Sequence, residues 1–281
     1  MGENGTDSKA LSVPANLDDI SDKELMKLTG QTDNGSQASV LSRLSINYQT
    51  EDENENPLPR GHFAIRVDGD NIYSKEVTFR PFIRLYAYSY WDNSDETFTS
   101  SVQMQSLGDQ FIDTIGTYKC GKLSREQIGS LSDNDPQRVI QSSIKCNQVL
   151  YGVVSIGEGK KADGEVVKDL KEIPCVYYAK GVNYSPFSSV LANLAKQKKP
   201  MIRTNLMLST KRQKAGGNTF FVVGIKMGDT VDKLSEADGN LLKEFSLAIK
   251  SINEGVIEKH RVAIKKKTKD GDHSLAIELD A

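Results

Sequence analysis

No stretch of this chain approaches the ~18 consecutive apolar residues that a membrane-crossing helix needs. Its opening, Met-Gly-Glu-Asn-Gly-Thr-Asp-Ser, has neither the basic start nor the apolar centre of a secretory signal. Gly2 and Thr6 fit the loose myristoylation pattern, but Glu3 and the lack of nearby lysines argue against an anchor. The expectation is a cytoplasmic chain with no membrane partner. Cysteine is scarce and odd in number: Cys120, Cys146 and Cys175, widely spaced, with no Cys-x-x-Cys. That argues against a disulfide framework and favours a reducing compartment. Histidine is equally scarce. None of His62, His260 and His273 has a Cys or Ser partner at a catalytic spacing, and there is no His-x-x-x-His. Gly157-Glu158-Gly159-Lys160-Lys161 fails the phosphate-loop spacing and has no Ser or Thr after the lysine. Asp92, Asp95 and Glu96 lack the order of a calcium loop and read as a turn. These absences predict a non-enzymatic chain that carries no cofactor; a zinc site at Cys120 and Cys146 would need distant ligands.

The most informative absence is local. From Lys196 to Lys226 there is no Asp or Glu, while Lys196, Lys198, Lys199, Arg203, Lys211, Arg212, Lys214 and Lys226 all fall in that span. The whole chain of 281 residues nets only -2. Residues 1–58 hold eleven acids and four bases, a net of -7, so the remainder nets +5. Three parts are predicted: an acidic arm over 1–58, a β domain over 59–230 with an insertion at 105–145, and a closing helix with a basic tail over 231–281. In the arm, Ser21-Asp22-Lys23-Glu24 reads as a capping box opening a short helix that Gly30 closes. Val40, Leu41, Leu44, Ile46 and Tyr48 form an apolar patch, either a helical turn or an extended segment docking on the body.

The body reads as strands broken by turns. Asp68-Gly69-Asp70-Asn71 is a hairpin signal. The core strands are predicted at 79–92, 97–104, 147–156, 201–210 and 219–227. Gly157–Lys171 is predicted as a polar loop and 211–218 as a turn. Tyr184-Ser185-Pro186-Phe187 opens a helix whose Val190, Leu191 and Leu194 share one face. Five strands, a helix between the third and fourth, and a C-terminal helix predict a mainly β (α+β) chain with an OB-like, partly open five-stranded barrel. A β-sandwich is the alternative.

The central strand carries the site hypothesis. Strand alternation places Arg80, Phe82, Arg84, Tyr86, Tyr88 and Tyr90 on one face, and Pro81, Ile83, Leu85, Ala87, Ser89 and Trp91 on the other. Rings stack on bases, and guanidinium both stacks and pairs with phosphate. Ordinary half-buried packing is the competing explanation for any single ring. Lys198, Lys199, Arg203, Lys211, Arg212 and Lys214 would follow the phosphates, several of them from a flexible hairpin tip. Against this, the turn at Asp92–Glu96 is acidic and would repel phosphate.

The run Asn147–Ile156, the entry Lys180-Gly181-Val182-Asn183-Tyr184-Ser185-Pro186-Phe187 and the ending Gly216-Gly217-Asn218-Thr219-Phe220-Phe221 resemble bacteriophage-encoded single-stranded-DNA-binding proteins over roughly residues 60–227. The resemblance implies an OB fold, sequence-tolerant binding of single-stranded DNA, and a role in phage replication or recombination, with replication proteins and further copies of the chain as partners. The matching positions are the aromatic face of 79–91 and the basic hairpin. One departure is that the main acidic segment is N-terminal here, not C-terminal. The rival class is a viral structural or assembly protein whose arm docks on neighbouring subunits through the 40–48 patch.

Overall fold

The computed structural model describes residues 41–53 and 55–269. The helix expected at 21–30 and the acidic end at Glu278 and Asp280 lie outside the described residues. The compact unit that holds the body begins at Leu41, not beyond Pro57. β1 (Ser42–Ile46) is a strand whose Leu44 is 1% exposed, so the described part of the patch, residues 41–48, is the extended segment, used inside its own fold. Leu58 is also buried, and its N–H donates to the Thr50 carbonyl. Residues 41–58 therefore belong to the body.

β2 (Phe63–Val67) and β3 (Asp70–Ser74) form a hairpin around Asp68-Gly69, whose φ angles of 50° and 97° match the twist that two-residue hairpins require. β4 (Glu76–Asp92) turns into β5 (Thr97–Ser100). The 105–145 insertion holds two short helices, α1 (Arg125–Ser130) and α2 (Pro136–Ser143), each with a side-chain N-cap, from Ser124 and Asp135. Then come β6 (Lys145–Lys160), β7 (Val166–Ala179), α3 (Tyr184–Lys196), β8 (Thr204–Ala215), β9 (Asn218–Thr230) and α4 (Glu236–Lys269).

The sheet order is β3-β2-β1-β7-β6-β4-β8-β9, and β3 also pairs with β6 at Tyr73 and Lys160. That pairing closes five strands, β1, β2, β3, β6 and β7, into a barrel. The chain is thus mainly β with a five-stranded barrel and a C-terminal helix, the OB-like α+β class. The strands that close the ring are not the five expected ones, of which only 147–156 belongs to it. β4, β8 and β9 extend the sheet outward from β6, and β5 pairs with β4.

Two segments expected as loops are strand. β6 and β7 run on to Lys160 and Val166, with Glu158 opposite Lys168 and Ile156 only 1% exposed. Gly159 permits this, because a Cβ there would lie 2.6 Å from Ile72. β8 and β9 likewise run to a two-residue Gly216-Gly217 turn, with Ala215 opposite Asn218 and both glycines at positive φ.

Two cores flank the sheet. One gathers Leu44, Phe79, Leu150, Tyr177 and Leu206 with Phe187, Leu191 and Leu194 of α3. Asn183 precedes the helix without capping it, and its side chain instead holds the β9 edge, accepting from Val223 N–H at 2.8 Å and donating to the Phe221 carbonyl at 3.3 Å. The other core gathers Phe82, Leu85, Val149, Tyr151 and Val153 beneath Phe245 of α4. That helix has 34 residues, about 50 Å at 1.5 Å per residue. Further along, Asn253 exchanges two hydrogen bonds with the Gln103 backbone, and His260 Nδ1 lies 2.8 Å from the Asp113 carbonyl. No helix among the described residues is long and apolar enough to cross a membrane.

Candidate nucleic-acid interface

One bulge decides what the central strand can offer. Arg80 pairs with Val153 and Pro81 with Gly152, but the next pair is Ile83 with Tyr151. Phe82 is an extra residue, and one extra residue exchanges the faces of everything after it. The β6 partners show the exchange. Arg80 and Ile83 sit opposite Val153 and Tyr151, in the core under α4, whereas Arg84 sits opposite Leu150 in the core under α3. The six residues expected on one face are therefore divided.

Arg80 and Phe82 turn under α4. Arg80 is 3% exposed, with Nη2 2.7 Å from Asp238 and 2.6 Å from Glu172, and Nη1 donating to the Ile202 carbonyl at 3.3 Å. Burial alone would raise the Asp238 carboxyl. Hydrogen bonds from Arg80 and Ser235, with the Arg80 charge, outweigh it and hold the group below its usual value. Phe82 is buried edge-on against Phe245 at 5.6 Å. Neither residue reaches a strand of DNA in this fold; both are packing and pairing elements.

Arg84, Tyr86, Tyr88 and Tyr90 lie on the opposite face, each half-buried. Tyr88 is already engaged. Its ring packs edge-on against Phe111 of the insertion at 5.1 Å, Lys119 Nζ sits 5.5 Å from its centroid, and burial pushes its phenol up. Tyr90 neighbours the acidic turn; its phenol is raised first by loss of solvent and then by Asp92. Tyr86 is the ring left for stacking, with the Arg84 guanidinium 5.4 Å from its centroid. Tyr184, in the first turn of α3, joins them. Burial first, then Cys146 and Tyr86, push its phenol up to about 12. Sequence reading missed Tyr184 as a site residue, because nothing local marks which strand a helix entry faces.

The basic run is dispersed. Lys198 and Lys199 close α3, their N–H groups donating to the Ala195 and Leu194 carbonyls, with both side chains exposed. Arg203 is exposed and donates to the Asp232 carbonyl at 3.1 Å. Lys211, Arg212 and Lys214 do not lie on a flexible tip. They are exposed residues of a two-stranded ribbon, opposite Val222, Phe221 and Thr219. Strand alternation puts Lys211 on the side of Met207, Ser209 and Lys226, and Arg212 and Lys214 on the side of Phe221. The Lys211 side borders an open trough of about 770 Å³ lined by Lys75, Lys160 and Lys226, but also by Glu76 and Glu158. On the other side, Phe221 meets Tyr48 edge-on at 5.6 Å.

Among the described residues no group of three or more His, Cys, Asp or Glu side chains is placed to hold a metal ion. Comparison with family models, with curated proteins and with solved structures finds no match to this chain.

Proposed function

We propose that this protein binds single-stranded nucleic acid without sequence preference, as a single-stranded-DNA-binding protein of phage replication or recombination. The observation that carries the reading is the Arg84–Tyr86 pair. It is a half-exposed guanidinium over a ring, with Tyr184 beside it, and Arg84 has no ion-pair partner among the described residues. A base stacks on such a ring whatever its identity, and the free guanidinium edges pair with a phosphate. Lys198, Lys199, Arg212 and Lys214 supply further cations for the backbone, and sequence-tolerant binding asks for no more specific recognition. The arm-docking alternative loses its docking strip, because β1 pairs with β2 and β7 of its own chain.

The test is a salt titration of a labelled oligothymidylate against the full chain. Binding should weaken steeply with salt, with a log–log slope of about -0.7 for each phosphate contacted. Arg84→Ala with Tyr86→Ala should raise Kd about 10-fold or more, given about 1–3 kcal/mol for each stacked base. Absence of binding at low salt, or a double variant that binds as the parent does, would sink the proposal.

A further inference from the structure

A second basic hollow lies away from the central strand. β1 runs parallel to β7 with Arg43 opposite Val176, which brings Arg43 beside Tyr178, its guanidinium 4.9 Å from the ring centroid. β7 ends at Ala179, and the chain passes through Lys180 into a single helical turn, Gly181–Asn183. β6, the neighbour of β7, begins at Lys145. Together these segments line a groove of about 440 Å³ that contains Arg43, Lys145 and Lys180 and no carboxylate. Its remaining wall includes Tyr48 and Val182, 47% and 50% exposed.

The three cations are uncompensated. None has an ion-pair partner among the described residues. Arg43 makes no side-chain hydrogen bond among them, and Lys145 donates only to the Ser142 carbonyl. Lys180 registers the strain: loss of solvent first, and the Arg43 charge second, lower its pKa. An anion in the groove would relieve that repulsion and accept charge-assisted hydrogen bonds from a planar donor and two ammonium groups. The volume falls inside the range of small-ligand sites, about 300–1,000 Å³. Inorganic phosphate alone would leave the Tyr48 and Val182 wall in water; a nucleotide covers it.

We propose that this groove takes one phosphate-bearing nucleotide, the phosphate among Arg43, Lys145 and Lys180 and the base against Tyr48 and Val182. The proposal draws on the single-strand reading only for the source of that nucleotide, a unit of the bound strand. The groove itself stands on its own geometry.

The experiment titrates the full-length protein with inorganic phosphate, with thymidine monophosphate and with an oligothymidylate, followed by calorimetry. The parent chain is compared with Arg43→Ala/Lys180→Gln, with the charge-keeping Arg43→Lys/Lys180→Arg, and with Arg84→Ala. All are first checked for an unchanged thermal transition. The nucleotide should bind one per chain and more tightly than phosphate. The charge-removing pair should weaken it at least 10-fold, and the charge-keeping pair should restore most of that loss. For the oligonucleotide, the charge-removing pair should lower the salt slope by about 0.7 for the phosphate released. A mononucleotide that binds while the oligonucleotide does not upholds the groove, makes its ligand a free nucleotide and defeats the single-strand reading. Phosphate binding as tightly as the nucleotide overturns the base contact. If the charge-removing pair alters neither ligand while Arg84→Ala weakens the oligonucleotide, the groove proposal is overturned and the single-strand reading stands.

Discussion

Replacing Arg80 with alanine separates the structure from the sequence expectation most directly. Arg80 joins β4, β7 and α4: it pairs with Asp238, itself 4% exposed, reaches Glu172, and donates to the Ile202 carbonyl. Glu172 is 58% exposed at its side chain, so that half of the contact is worth little. Asp238 is different. Without Arg80 its carboxylate keeps only Ser235, whose N–H and hydroxyl both donate to the other oxygen. Breaking a buried pair from one side costs about 3–5 kcal/mol, because the remaining charge is left unpaired. At about 2–4 °C per kcal/mol for a body of this size, Tm should fall by about 6–20 °C, read by far-ultraviolet circular dichroism. Arg80→Met with Asp238→Asn should recover part of the loss, since no unpaired charge stays buried. The pH dependence has a fixed sign. Asp238 titrates below its unfolded value, so its contribution is present above the unfolded carboxyl range and disappears as pH falls through the depressed one. The gap between parent and Arg80→Ala should therefore narrow on acidification. If Arg80→Ala instead keeps the parental Tm and lowers the salt slope of oligonucleotide binding, Arg80 is a phosphate contact and the assignment is wrong.

Three further outcomes follow from the packing. Phe245→Ala should destabilise by about 3–5 kcal/mol in urea titration, since the ring is fully buried against Phe82 and Tyr151; a change under about 1 kcal/mol would mean that α4 is not part of the folded core. Gly152→Ala should cost at least about 1–3 kcal/mol, because a Cβ there would sit 2.3 Å from the Arg80 carbonyl oxygen and only a backbone shift can relieve it. A thiol reagent on the native protein should label Cys146 first, since Cys120 and Cys175 are 3% and 0% exposed and burial pushes both thiols up. Equal labelling rates at all three positions would contradict that burial.

What could be read without the fold was what local chemistry governs. Turn residues marked the hairpin at Asp68-Gly69, apolar spacing marked the buried side of α3, and strand count and helix order pointed to a five-stranded barrel class. Even the bulge had a local sign. Pro81 lacks an N–H, and a proline inside a central strand calls for an edge or a bulge. β8 pairs with β4 only as far as Phe79, and the register slips just after Pro81.

The rest belonged to tertiary pairing. Period-two alternation assigns faces only while register holds, so one extra residue at Phe82 sent Arg80 under α4 and left Arg84 and Tyr86 facing the other way. The Lys211–Lys214 cations looked like a loop because lysine and glycine are weak strand formers, yet pairing across β8 and β9 overrides so small a propensity. The groove at Arg43, Lys145 and Lys180 joins Arg43 to two residues more than a hundred positions away. Only the parallel pairing of β1 with β7, and the antiparallel pairing of β7 with β6, makes those three charges neighbours. The sequence alone thus determined the residue types and local turns, while strand register and pairing decided which charges meet.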